Sequence, residues 1–126
     1  MSFTLNVEAR AGYYLYVSVT GENSVDTVNS YLTEVREACA KHQCFNLLIV
    51  ENLSGPSLDT FSIYNLVASR SDQAAHIVRR LAYVDINPEH SARDMEFAED
   101  VAVNRGISVK VCPTIHAAEE WIERNG

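Results

Sequence analysis

Between residues 45 and 50 the chain reads Phe45-Asn46-Leu47-Leu48-Ile49-Val50, a nearly unbroken apolar run. A strand wetted on one side alternates apolar and polar residues, so a continuous run marks a strand covered on both faces. The segments on either side keep a different period. Val25, Val28, Leu32, Val35 and Cys39 recur at three and four residues, as do Leu58, Phe61, Tyr64, Val67 and Ala68. That spacing gathers apolar side chains on one face of a helix. A doubly covered strand between two amphipathic helices is the centre of a layered α/β structure.

The remaining chain extends the alternation. Leu5, Val7 and Ala9 alternate with polar residues, Arg10-Ala11-Gly12 turns the chain, and Tyr13 to Val19 carries the aromatic and β-branched residues a pleated surface favours. The two strands predict an antiparallel hairpin. Ser24 is placed as the N-cap of the first helix and Ser57 as that of the second, which Ser71-Asp72 is expected to interrupt before a shorter turn through His76 and Val78. Residues 81–86 read as a strand ended by Asn87-Pro88. Ser91 with Asp94 approximates a capping box, and the helix behind it stops at Asn104-Arg105-Gly106. A last strand covers 108–112, and Thr114 caps a final helix with Ile115, Ala118, Trp121 and Ile122 on one face. The order β-β-α-β-α-β-α-β-α predicts a mixed, mostly parallel sheet of about five strands and about four helices, with the first strand an antiparallel edge, in one domain over residues 1–126.

Composition narrows the function. Seventeen acidic against ten basic side chains give a net charge of −7, evenly spread, which argues against a nucleic-acid partner. The most positive local feature is the pair Arg79-Arg80, read as a solvated helix end. The aliphatic run at 47–50 is far shorter than a bilayer span, the first residues lack a basic leader, and three cysteines without a C-x-x-C motif suit a reducing compartment. A cytoplasmic location is the expectation.

No motif announces a reaction. The five glycines, at 12, 21, 55, 106 and 126, are too scattered for a dinucleotide-binding turn or a P-loop, so no nucleotide cofactor is expected. Gly55-Pro56-Ser57-Leu58-Asp59 stands where a nucleophile elbow would, but Asp59 replaces the closing glycine and Pro56 stiffens the turn before the serine. Hydrolysis by Ser57 is therefore the last of the readings. Cys39, His42, Cys44 and Cys112 lack the spacing of a zinc knuckle, and Cys39 falls on an apolar helix face, so no metal is expected. Ligands of such sheets bind beyond the carboxyl ends of the strands, near a reversal in strand order. Here those ends are residues 21–23, 52–57, 87–90 and 113–114.

The hairpin with Val17-Ser18-Val19-Thr20-Gly21-Glu22, the block from Phe45 to Ser54 with Leu58-Asp59-Thr60-Phe61-Ser62, and the ending Ile115-His116-Ala117-Ala118-Glu119-Glu120-Trp121-Ile122 together resemble the STAS domain family, in its SpoIIAA-like branch. The resemblance in element order covers nearly the whole chain. It implies a small cytoplasmic regulatory or ligand-sensing module and not an enzyme. In the family's anti-sigma-factor antagonists an Asp-Ser-Ser/Ala/Thr-Gly loop carries a phosphorylated hydroxyl at its third position. The matching stretch here is Asp59-Thr60-Phe61-Ser62, where Phe61 holds the acceptor position and Ser62 the glycine position. That departure weakens the phospho-switch and leaves Ser57, Thr60 and Ser62 as the neighbouring hydroxyl candidates.

Two expectations follow from the resemblance. One is a protein-contact face built from Ser54, Gly55, Asp59, Phe61 and Tyr64, with a regulatory protein as partner. The other is a pocket for a small apolar or lipid-like ligand, walled by Phe61, Tyr64 and Tyr83. The oligomeric state stays open, a homodimer among the options.

Overall fold

A computed structural model describes residues 3–10 and 13–125; the turn expected at Ala11-Gly12 lies outside them. Strands β1 (Phe3–Arg10) and β2 (Tyr14–Glu22) form an antiparallel hairpin. They are followed by α1 (Val25–His42), β3 (Asn46–Ser54), α2 (Thr60–Ala74), β4 (Arg80–Asp85), α3 (Ala92–Asn104), β5 (Val109–Val111) and α4 (Ile115–Asn125). β2 to β5 are parallel, so the molecule is an α/β structure with a five-stranded mixed sheet.

The strand order is β1-β2-β3-β4-β5, with no reversal. Every crossover therefore steps in the same direction, and right-handed connections bring α1, α2 and α3 to one face of the sheet. Only α4, which closes the chain after the last strand, covers the other face. The side chains divide accordingly. Leu15, Val17, Val19, Leu47, Ile49 and Leu53 point toward α1 and α2. Tyr14, Leu48, Val50, Ala82 and Val84 point toward Ala118 and Ile122 of α4. The period of two along each strand then sends Glu51, Tyr83 and Asp85 to the three-helix face as well.

Most helix starts follow their cap chemistry. Ser24 accepts the Thr27 N–H, Ser91 accepts the N–H groups of Arg93 and Asp94, and Thr114 accepts the Ala117 N–H. The second helix differs from expectation at both ends. Its N-cap is Asp59, whose carboxylate takes the Ser62 N–H at 2.8 Å, while Ser57 instead accepts the Ser91 N–H at 3.2 Å. Nor does Ser71-Asp72 break it. Ser71 is buried, and the helix runs on to Ala74. The propensity cost of Ser and Asp inside a helix is a few tenths of a kcal/mol, too small to end one that packing holds.

α2 packs along α3 and touches α1, but hardly approaches the strands beneath it. A space remains between this helix and the floor made by β3 and β4.

Candidate functional site

That space is a cavity of about 240 Å³. Its walls are apolar over most of their area, with Val28, Leu32 and Val35 from α1, Ile63 and Val67 from α2, and Ile49 from the floor. An empty space of about 150 Å³ already suffices for a benzene ring, so this one has room for a larger guest.

Polar groups gather at the end above the carboxyl termini of β3 and β4. The Tyr31 phenol, on α1, donates to Glu51 Oε2, and the Tyr83 phenol also bonds the Glu51 carboxyl. Tyr31 and Glu51 are buried and Tyr83 partly so, in an otherwise oily wall. Burial pushes the Glu51 carboxyl above the usual carboxylate range, and the two phenols pull it back only in part. Burial likewise drives both tyrosine hydroxyls well up, with the Glu51 charge adding to it. The outcome is a polar cluster whose members satisfy one another.

Beside it Asp85 closes β4 and meets His90, which opens the turn into α3. His90 Nδ1 lies 2.6 Å from Asp85 Oδ2, and Nε2 lies 2.8 Å from the Gly55 carbonyl. A carbonyl oxygen only accepts, so Nε2 carries a proton. Burial alone would lower the His90 pKa, but the bonds to Asp85 and Gly55 prevail and raise it. With both nitrogens engaged, the ring clamps the loops after β3 and β4. The amide groups of Asn87 and Asn23 add bonds to the Leu53 carbonyl at 2.6 Å and the Pro56 carbonyl at 2.8 Å. Gly55 permits the arrangement, because its φ of 99° turns the chain where an L-residue would be strained.

The sequence-predicted residues fall into two groups. Ser57 and Tyr83 line the cavity. Phe61 and Tyr64 do not: Phe61 is 75% exposed and Tyr64 42%, on the outer side of α2, so the cavity walls expected from them come from aliphatic residues instead. Tyr64 accepts a hydrogen bond from Arg105 at 3.1 Å. Thr60 is exposed at the helix start, and the Ser62 hydroxyl donates to Asp59 at 2.9 Å. Exposed Ser54 donates to the Gly21 carbonyl. Ser57 and His90 share this corner without bonding each other, and both ring nitrogens of His90 are engaged elsewhere. Cys39 and Cys112 stand on opposite faces of the sheet, which rules out their joining as ligands of one metal.

Sequence reasoning missed Tyr31, Glu51, Asp85 and His90 as a set. The one local signal was Glu51 itself, an acid that extends an apolar run and precedes buried Leu53. It also missed Arg36 and Arg70, which line the rim between α1 and α2 and stand on different helices. Arg79-Arg80, the positive feature visible in the sequence, precedes and begins β4 and lies off the cavity. No family model matches this chain, and no curated protein matches it. Among the described residues no helix is long and apolar enough to cross a membrane.

Proposed function

We propose that the protein is a STAS-like module that binds a small, predominantly apolar ligand in the cavity beneath α2, without transforming it. The cavity itself carries this reading. An aliphatic-walled space of about 240 Å³ runs beneath α2, with its polar end above the carboxyl ends of β3 and β4. Water gains little in such a space, whereas an apolar guest recovers the contacts that the standing-off of α2 leaves unmade. The resemblance to the STAS family, which carries the expectation of a pocket for an apolar or lipid-like ligand, supports the same reading. Binding is favoured over hydrolysis because both ring nitrogens of His90 are engaged, by Asp85 and by the Gly55 carbonyl, and neither meets Ser57.

Paired native and denaturing mass spectrometry on protein purified from its own host tests this, together with calorimetric titration of decanol. The expected results are an adduct lost on denaturation and saturable decanol uptake with a negative heat-capacity change. Protein that carries no adduct and takes up no decanol overturns the reading.

The exposed ring of Phe61 supports a second reading, in which residues 54–62 and the start of α2 form a contact face for a regulatory protein. There Phe61→Asp would abolish co-purification of the partner and leave the fold intact; unchanged co-purification would remove it.

A further inference from the structure

The cavity lining holds two cations on different helices, Arg36 and Arg70, with Glu51, Asp85, Asp94 and Glu99 as its acidic members. Arg10 pairs with Glu8 and Glu119, Arg105 with Asp72, and Arg124 with Glu120. In a chain of net charge −7, acidic partners are plentiful. Among the described residues Arg36 and Arg70 have none within ion-pair distance, as is also true of Lys41, Arg79, Arg80, Arg93 and Lys110, but Arg36 and Arg70 alone of the lysines and arginines line the cavity. Arg70 spends its terminal nitrogens on neutral oxygens: Gln73 Oε1 at 3.3 Å, the Asn29 carbonyl at 3.4 Å and Thr33 Oγ1 at 3.1 Å. The Arg36 side chain makes no hydrogen bond or ion pair with any described residue, so its guanidinium fork is free. The two cations lie close enough to repel each other, in a site where burial already disfavours the Arg70 charge. The opposite end of the cavity asks for nothing, since Tyr31, Glu51 and Tyr83 bond one another.

We infer that the cavity takes a fatty-acid-class ligand, its single apolar chain beneath α2 and its carboxylate outward at the rim between Arg36 and Arg70. A carboxylate matches the open fork of Arg36 with two parallel hydrogen bonds, and its charge relieves the repulsion between the two arginines. The orientation follows from the walls: the chain meets mostly aliphatic residues until the self-satisfied Tyr31–Glu51–Tyr83 cluster, and the anion stays at the rim beside both cations. The inference deepens the proposed ligand-binding function and rests on it.

The test compares decanoate with decanol, which has the same chain and no charge, on wild type, Arg36→Gln and Arg70→Gln. Decanoate should bind wild type more tightly than decanol does, and each substitution should weaken it about tenfold to a hundredfold while leaving decanol unchanged. Arg36 is exposed and bonds nothing in the fold, so Arg36→Gln remains informative even if Arg70→Gln loosens α2. Decanol and decanoate binding equally, or decanoate indifferent to Arg36→Gln, would falsify the head-group assignment and leave the cavity function standing. Failure of both ligands to bind overturns the cavity function and the inference with it.

Discussion

His90 and Asp85 face each other across the turn from β4 to α3, with Nδ1 2.6 Å from Oδ2 and both side chains almost fully enclosed. Because the second ring nitrogen holds the Gly55 carbonyl, one side chain couples the loop after β3 to the loop after β4. The folded state favours its protonated form, so its pKa stands above the ordinary value near 6.5. Its contribution to stability is complete below the unfolded value and is lost as pH rises through the folded one. Urea unfolding of wild type and His90→Gln across that window should show the largest difference at the acid end, of about 1.5–3 kcal/mol for a charged hydrogen bond, and a smaller one at alkaline pH. A difference independent of pH would show that the ring acts as a neutral spacer.

Tyr31→Phe should destabilise the protein by about 1–3 kcal/mol, because Glu51 loses a donor in a place water does not reach. The Glu51 carboxyl should rise further from its ordinary range, since the lost bond is one that lowers it. A raised carboxyl pKa makes the folded state bind its proton first. Acidification from neutral therefore adds stability from this group until the ordinary carboxylate range is reached. Carbon-detected NMR titration of the Glu51 carboxyl in both proteins checks the direction.

Val67→Phe places an aromatic ring in the cavity. Decanol uptake should fall at least tenfold, with stability unchanged or higher, as the ring fills space that was empty. Leu48→Ala makes the complementary case. Leu48 is fully buried on the α4 face, so its truncation should cost about 2–5 kcal/mol and leave decanol affinity as it was. Calorimetry and denaturant unfolding on the two variants read both quantities.

Gly55→Ala should cost about 1–2 kcal/mol in the same unfolding assay. A Cβ there meets nothing within 4 Å, so the loss comes from the backbone at φ 99° and from the displaced acceptor of His90, not from a clash.

The element order was legible because each segment shows a single period: two in β1, three to four in α1, and the continuous run in β3. The start of α2 was misplaced because Ser57 and Asp59 are both good caps, and the choice between them is made by Ser91, a residue on a distant turn that binds Ser57. Ser71-Asp72 looked like a break because local polarity does not reveal that Ser71 is packed inside. Strand order left no trace in the sequence, and the order β1-β2-β3-β4-β5 contains no reversal to mark a ligand site. The cavity depends on how far α2 stands from β3 and β4, a tertiary distance. Phe61 and Tyr64 share the helical spacing of core residues yet face outward, because the floor below them is met by Ile63 and Val67.

The sheet separates two interiors. On the α4 side Leu48, Ala82, Val84, Ala118 and Ile122 pack together, and none of them lines the cavity. A swing of α2 would cross none of those contacts, so passage of the proposed ligand would need only a fraction of the free energy of global unfolding.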